Sequence, residues 1–210
     1  MLSGCEDFLD TENLTKKDNS SFPKTENDAN AALTGVYAIL REMTPGEDEQ
    51  IFFMTAEILS DDRFGGGGPD DKRMHAVDRL KKVDEDMFAD VWKQDYRAIY
   101  RSNMLLECMD DIKWTSEENH NKIEGQTRFL RAYFYFDLCR LFGTVPLIVA
   151  TEPMNNPRAT ADELYAQIAT DLKLAIEKLP AKRYNPSETA ELGHATKWAA
   201  QALLAPAFLF

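Results

Sequence analysis

An acidic, glycine-rich stretch holds the side chains of this sequence that are best suited to ligand chemistry. In "SDDRFGGGGPDDKRMH", four consecutive glycines lie between carboxylates at Asp61, Asp62, Asp70 and Asp71. Glycines let a backbone cradle a phosphate, but the Lys-Ser/Thr pair that completes a P-loop is missing. The carboxylates suit calcium, although their spacing is not that of an EF-hand loop. The third interpretation is an acidic surface loop without a ligand.

Side chains typical of catalysis do not form a familiar arrangement. His75, His120 and His194 are far apart in the sequence, and neither an H-E-x-x-H nor a G-x-S-x-G motif occurs. Carboxylates could pair as the acid and base of a glycosidase, but most fall on the polar faces of predicted helices, where solvated charge is the default. We therefore expect that the protein is not an enzyme, and we assign no catalytic residue, metal ligand or cofactor.

Two tryptophans and two cysteines are predicted to serve packing. Trp92, Trp114 and Trp198 could stack on sugars, but Trp92 and Trp198 lie on apolar helical stripes and are expected in the core. Cys108 and Cys139 fall within apolar helical patterns, where a free cysteine behaves as a small buried hydrophobe. Whether these two cysteines pair is left open by the sequence.

Three arginines lie on one apolar segment near the middle of the chain. Arg128, Arg131 and Arg140 share that segment with Asp137. An anion site is one interpretation. Because the helix is predicted to be mostly buried, we favour the other, in which the arginines pair with acids on neighbouring helices and set the packing.

The start of the chain places a lone thiol behind small residues. Leu2-Ser3-Gly4-Cys5 resembles the lipobox of bacterial lipoproteins, in which a peptidase accepts small side chains and the cysteine carries a diacylglycerol. The basic region and apolar stretch that normally precede it are not among the four upstream residues. Glu6 and Asp7 resemble the surface-export signal that follows lipid-bearing cysteines in Bacteroidetes. We predict that Cys5 is a lipid anchor and that residues 1–22 form a lipobox stub and extended tether.

Composition and charge restrict the class of protein. The chain has 210 residues, 44% of them hydrophobic, which is enough for a sizeable core. Its 36 acidic and 24 basic residues give a net charge of -12, which repels phosphate backbones and makes nucleic acid an improbable partner. No run of eighteen apolar residues occurs, so no transmembrane helix is predicted.

Helical periodicity dominates the sequence from residue 23 onward. Apolar stripes predict helices over about 25–42, 86–112, 116–142 and 160–179, and a last one from about Gly193 that continues to Phe210. Capping residues at Thr25, Ser116 and Thr160 support three of these starts. Only "TVPLIVA" suggests a short extended piece. We predict an all-α fold of antiparallel helical hairpins, a tetratricopeptide-like superhelix over residues 23–210 that is truncated at its C-terminal end.

Several blocks in a fixed order resemble one known family. These are "CEDFLD", "WKQDYRAIYRSNMLLECMD", "GQTRFLRAYFYFDLCRLFGTVPLI", "RATADELYAQIATDLKLAIEKLP" and "GHATKWAAQALLAPAFLF". Together they are similar to the N-terminal part of the SusD/RagB family, surface lipoproteins of Bacteroidetes that bind nutrients and cover a TonB-dependent transporter. The resemblance extends over nearly the whole chain.

This resemblance implies a function and a site. It implies a lipid-anchored protein of the outer-membrane surface that captures an oligosaccharide or other nutrient and delivers it to a SusC-like TonB-dependent transporter. A short apolar run, "IFFMTAEILS", follows the first predicted helix, and in the family the region after this second segment contributes to the glycan-facing surface, which assigns ligand binding to Asp61, Asp62, Arg63 and Phe64. The alternatives are a soluble tetratricopeptide-like scaffold that binds peptides, with Cys5 accidental, and a glycosidase.

Overall fold

The described chain is built from α-helices. The computed structural model describes residues 23–42, 57–60, 62–81, 88–152, 155–181, 187 and 192–209. Its helices in chain order are α1 (Glu26–Glu42), α2 (Lys72–Asp78), α3 (Ala89–Glu107), α4 (Glu117–Phe142), α5 (Ala161–Lys178) and α6 (Lys197–Ala207), with a short 3-10 helix at Met109–Asp111 and helical residues at 57–59. Those ranges contain isolated bridges but no β-strand. The all-α prediction is confirmed.

Local capping chemistry sets the starts of the helices. At α5, the Thr160 hydroxyl accepts from the backbone N–H of Glu163 and the Glu163 carboxylate accepts from Thr160 N–H at 2.8 Å, a complete capping box. The Thr25 hydroxyl and Asp28 carboxylate make the corresponding pair at α1. Ser116 caps α4 by accepting from Asn119 N–H. The three starts predicted from these residues are confirmed.

Successive helices pack as hairpins around one apolar core. Helix α4 contacts α3 and α5, α5 contacts α6, and α1 packs on α3 and α4. The central part of α4 is buried on nearly every face, as its apolar composition predicts, and Phe134, Tyr135 and Leu138 have no exposed surface. Cys108 and Cys139 are free thiols. The fold is the helical-hairpin arrangement predicted from the sequence.

A buried ion-pair network joins three of these helices. The Arg131 guanidinium donates to both Asp171 carboxylate oxygens, from Nε at 2.8 Å and Nη2 at 2.7 Å. Its Nη1 donates to Asn103 Oδ1 at 2.9 Å. Arg128 donates to Glu124 at 2.7 Å and to Asp171 at 3.2 Å. The packing role predicted for these two arginines is confirmed.

The segment after α4 is fixed by side-chain hydrogen bonds in addition to one isolated β-bridge between Pro146 and Arg158. The Tyr135 hydroxyl accepts from Ile148 N–H at 2.7 Å and donates to Ile148 carbonyl at 2.8 Å. Asn103 Nδ2 donates to the same carbonyl at 2.9 Å, and Tyr96 donates to Pro146 carbonyl at 2.8 Å. The "TVPLIVA" segment is therefore extended and anchored, but it is not a strand of a sheet.

Three details differ from the sequence prediction. Helix α6 starts at Lys197, capped by Thr196, and ends at Ala207 before reaching Phe210. It closes because Phe208 and Leu209 donate to carbonyls three residues back, which tightens the last turn around Pro206. Trp198 is half-exposed and does not belong to the core. Arg140 pairs with Asp137 on its own helix, one turn away, where an acid on a neighbouring helix was expected.

Two carboxyl groups are buried close together between α3 and α4. Asp95 is fully buried and neither of its oxygens has a hydrogen-bond partner, and Asp137 is almost as inaccessible. Burial, with the neighbouring charge of Asp137 as the second cause, raises the pKa of Asp95 to about 8. Burial also raises the pKa of Asp137, and the Arg140 guanidinium opposes that shift. Asp95 is therefore a neutral acid in the folded protein at neutral pH.

A glycine on α4 is predicted to be required for close packing. A Cβ at Gly125 would lie 2.9 Å from Leu179 Cγ and 3.2 Å from Lys178 Cβ. Gly→Ala in an open helix position gains about 1 kcal/mol, but overpacking costs about 1–3 kcal/mol. We expect Gly125→Ala to lower the free energy of unfolding, measured by urea denaturation. Gly35→Ala, whose new Cβ would meet only Arg101 Nη1 at 3.6 Å, should be neutral or stabilising. Equal stabilisation of both variants would contradict the close contact.

The buried Asp95 carboxyl predicts a pH-dependent stability. The unfolded chain loses this proton near pH ~4, whereas the folded protein keeps it up to about pH 8. In that window the folded state holds the extra proton, so its stability falls as pH rises. We expect Asp95→Asn to exceed wild type by about 1 kcal/mol or more near neutral pH, and the difference to vanish toward low pH.

The control for this prediction is Asp90→Asn. Asp90 is exposed on the same helix and pairs with Lys93 at 3.3 Å. Urea denaturation of both variants across the pH window should show a pH-dependent difference from wild type only for Asp95→Asn. The raised pKa would be refuted if Asp95→Asn destabilised the protein at neutral pH as much as at acidic pH.

Candidate functional site

The backbone of the glycine-rich loop is held by a carboxylate of the loop itself. Asp71 Oδ2 accepts from Gly67 N–H at 2.8 Å and from Gly68 N–H at 3.2 Å. Asp71 N–H donates to Gly68 carbonyl at 3.2 Å, and His75 Nε2 donates to the same carbonyl at 3.1 Å. Because two glycine amides are satisfied within the loop, they are not available to cradle a phosphate.

Two of the four glycines are required by the position of the loop against α2. A Cβ at Gly65 would overlap the carbonyl oxygen of Met74 and lie 2.7 Å from Asp78 Cβ. Gly66 has φ +85°, a left-handed conformation that disfavours other residues. Gly67 and Gly68 have open space where a side chain would be. The loop therefore packs directly on α2, and this contact determines which residues of the loop are exposed.

The structure places three of the predicted ligand residues together at the surface. The Phe64 side chain is 93% exposed. Arg63 Nε lies 3.1 Å from Glu57 Oε2, and Asp62 is an exposed carboxylate beside it. An aromatic face next to a guanidinium and a carboxylate is the combination that holds a sugar ring and its hydroxyls. Asp61 and Cys5 lie outside the described residues, so their assignments stay predictions.

A small apolar cluster attaches the loop and α2 to the helical core. Ile58 and Val77 are buried against each other, and Met74 and Phe88 pack on them. Phe88 immediately precedes α3 and meets the Phe142 ring at 6.4 Å, edge to face. Since Phe142 is the last residue of α4, the loop unit is positioned by the ends of the two central helices.

An aromatic groove beside this cluster was missed by the sequence analysis. It has a volume of about 330 Å³ and is lined by Phe88, Ala89, Trp92, Lys93 and Phe142. Trp92 packs edge to face on Phe142 with ring centroids 5.0 Å apart. Trp92 was predicted to be core; it is half-buried, packs against the core and also lines the groove. The sequence feature that could have indicated the groove is the position of Phe88 and Phe142 at the ends of helices, where the apolar stripe of each helix ends.

Other arrangements among the described residues do not offer a reactive or metal-binding site. The Asp95 and Asp137 carboxyls are closed to solvent. Within the described ranges, no three His, Cys, Asp or Glu side chains lie together in a way that could hold a metal ion. The helices described here are also too short or too polar to cross a membrane. Two exposed features are candidates for a ligand site: the Asp62–Phe64 surface and the aromatic groove.

Comparisons with known proteins identify the family. The model for the SusD-like family described as "Starch-binding associating with outer membrane" matches residues 7–209. The chain belongs to this family. A SusD-like protein of Formosa agariphila is 28% identical over 93% of this chain. Among solved structures, a laminarin-binding SusD-like protein superposes with a TM-score of 0.77 at 29% identity over 89% of the chain. Surface glycan-binding protein A from Bacteroides uniformis gives a TM-score of 0.76 at 27% identity over 88% of it.

The chain spans about two fifths of the length of these relatives. It covers 38% of the Formosa protein, 40% of the laminarin-binding protein and 42% of the Bacteroides uniformis protein. The superposition confirms the predicted SusD-like helical fold over this part.

Proposed function

We propose that this protein binds an oligosaccharide through the surface formed by Asp62, Arg63 and Phe64, with Asp61 as a further ligand. The observation that carries the proposal is the Phe64 ring, 93% exposed on a loop whose backbone is tied down by Asp71. An exposed ring costs free energy in water unless a ligand covers it. The flanking carboxylate and guanidinium supply the hydrogen bonds that a sugar ring needs around its apolar face.

The relatives support a glycan as the ligand class. Their family is described as starch-binding, and the two structural relatives are named as a laminarin-binding protein and a surface glycan-binding protein. The family description also associates its members with the outer membrane, which favours this role over that of a soluble peptide-binding scaffold. Binding without covalent chemistry is the function that we propose, and a glycosidase activity is not part of it.

The cellular arrangement that we propose follows the family resemblance. Residues 1–22 form the lipobox stub and the extended tether, with the lipid on Cys5, and residues 23–210 belong to the helical domain. The lipid holds the protein at the outer-membrane surface, where it hands its oligosaccharide to a TonB-dependent, SusC-like transporter.

Removal of the exposed ring is predicted to weaken glycan binding. Phe64→Ala should reduce the affinity for a bound neutral oligosaccharide about tenfold or more, since covering a Phe side chain is worth about 1.5–3 kcal/mol. Titration calorimetry with laminari- and malto-oligosaccharides measures this, and Asp62→Asn should weaken the same ligand. Phe208→Ala is the matched control, because its ring is also exposed but lies after α6. If Phe64→Ala and Phe208→Ala bind alike, Phe64 is not a ligand residue.

The lipid anchor is tested separately from the glycan site. When the chain is expressed behind a lipoprotein signal whose cleavage point precedes Cys5, the protein should fractionate with the outer membrane and its N-terminal peptide should carry the mass of a diacylglyceryl group. Cys5→Ser should move the protein to the soluble fraction. Cys108→Ser, which removes a half-buried free thiol, should leave it in the membrane. Retention of Cys5→Ser in the membrane would rule out Cys5 as the anchor.

A further inference from the structure

Basic side chains line an open groove on the same unit as the candidate loop. Lys72, His75 and Arg79 come from α2 and Lys81 follows it, and with Ala76 they surround a volume of about 280 Å³. Among the described residues, none of those that line the groove is acidic. The grouping is unexpected in a chain that has 36 acidic and 24 basic residues.

The backbone turn that follows α2 returns Lys81 toward the helix. Lys81 N–H donates to Ala76 carbonyl at 2.7 Å and Leu80 N–H donates to Val77 carbonyl at 2.9 Å, which is a Schellman motif. The motif requires a left-handed residue, and here it is Leu80 with φ +50°, alone among the described non-glycine residues. Such a conformation costs about 1 kcal/mol or more, and strained backbone tends to occur at functional sites.

Three cations of the groove lack an ion pair with any carboxylate in the described residues. Across the part of the chain that the structure describes, no carboxylate forms an ion pair with Lys72, Arg79 or Lys81. The nearby Asp71 carboxylate is occupied by Gly67 and Gly68 N–H groups. Like charges held around one groove repel each other, so a bound anion would relieve that repulsion.

The groove is coupled to the candidate glycan loop by direct contact. His75 lines the groove and also donates from Nε2 to Gly68 carbonyl at 3.1 Å. Gly65, which follows Phe64, lies against Met74 on the same short helix. A ligand that reaches both Phe64 and the groove therefore contacts one small, internally bonded unit.

We propose that this groove binds the acidic group of an anionic oligosaccharide, either a uronic acid carboxylate or a sulfate ester. The inference rests on the proposed glycan-binding function and specifies its ligand class. The planar Arg79 guanidinium can donate two parallel hydrogen bonds to either group, and the lysines add point charges. The net charge of -12 does not prevent this, because at physiological ionic strength charges beyond about 8 Å are largely screened.

The test compares acidic and neutral oligosaccharides of equal length on the full chain. Oligogalacturonates and sulfated carrageenan oligosaccharides are titrated beside laminari- and malto-oligosaccharides, so that the two acidic arms distinguish carboxylate from sulfate. We expect at least one acidic series to bind more tightly than the neutral ones. The double variant Lys72→Ser/Arg79→Ser should lose about tenfold or more of that affinity, because charge-assisted hydrogen bonds are lost, and its neutral-glycan affinity should not change.

The matched control is Lys113→Ser, which removes an exposed cation far along the sequence. It should leave acidic binding unchanged, and thermal melting should show that all variants fold. The inference is overturned if the acidic series bind no better than the neutral ones, or if Lys113→Ser lowers the affinity for acidic oligosaccharides as much as the double variant does. Titration with vesicles of anionic lipid gives the third contrary outcome, in which the groove variants lose binding to the vesicles and not to the acidic oligosaccharides. If neutral glycans bind through Phe64 in those cases, the proposed function stands alone. If no oligosaccharide of either kind binds, both proposals fail.

Discussion

The fold depends on one buried ion pair, in which each charge is compensated by the other. Arg131 and Asp171 are both inside the protein, and each would be strongly destabilising without the other, by about 3–5 kcal/mol. The guanidinium satisfies the carboxylate with two short hydrogen bonds and uses a further nitrogen on Asn103. These side chains come from α4, α5 and α3. Because of this, the hydrogen bonds among them can all form only in one arrangement of the three helices. Apolar packing supplies the stability, and this pair restricts the geometry.

The same network extends to the segment that follows α4. Asn103 accepts from Arg131 and donates to Ile148 carbonyl, so the helix network and the extended segment share one amide. With α3 and α4 fixed in this way, Phe88 before α3 and Phe142 at the end of α4 come within 6.4 Å of each other. The loop unit, residues 57–60 and 62–81, packs against Phe88 at this contact through Ile58 and Val77. The proposed binding surface is therefore positioned by polar contacts that lie deep in the core.

Signals that act within a few residues could be predicted from the sequence, and those that need the tertiary structure could not. The caps at Thr160 and Ser116 involve residues three apart, so the starts of these two helices could be predicted from the sequence. The half-exposed position of Trp198 depends on how α6 packs, which an apolar stripe alone does not determine.

For the candidate site, the residue types of Asp62, Arg63 and Phe64 could be identified in advance as suitable for a sugar. The placement could not. Asp71 looked like a calcium ligand in the sequence, but in the structure it accepts from Gly67 and Gly68 N–H groups. The basic groove depends on the left-handed Leu80, which no propensity favours. Both features arise from backbone geometry that the side-chain pattern does not encode.

The hydrogen bonds from the glycine amides to Asp71 have a consequence for the thermodynamics of binding. A glycine-rich loop would ordinarily lose much conformational entropy when a ligand orders it, at about 1–2 kcal/mol for each residue that becomes fixed. Here the folded protein has already met that cost at Gly65 through the contact with Met74, and at Gly67 and Gly68 through Asp71. A sugar that binds at Phe64, as we propose, would therefore meet a surface close to its bound shape, and modest contacts would be enough to hold it.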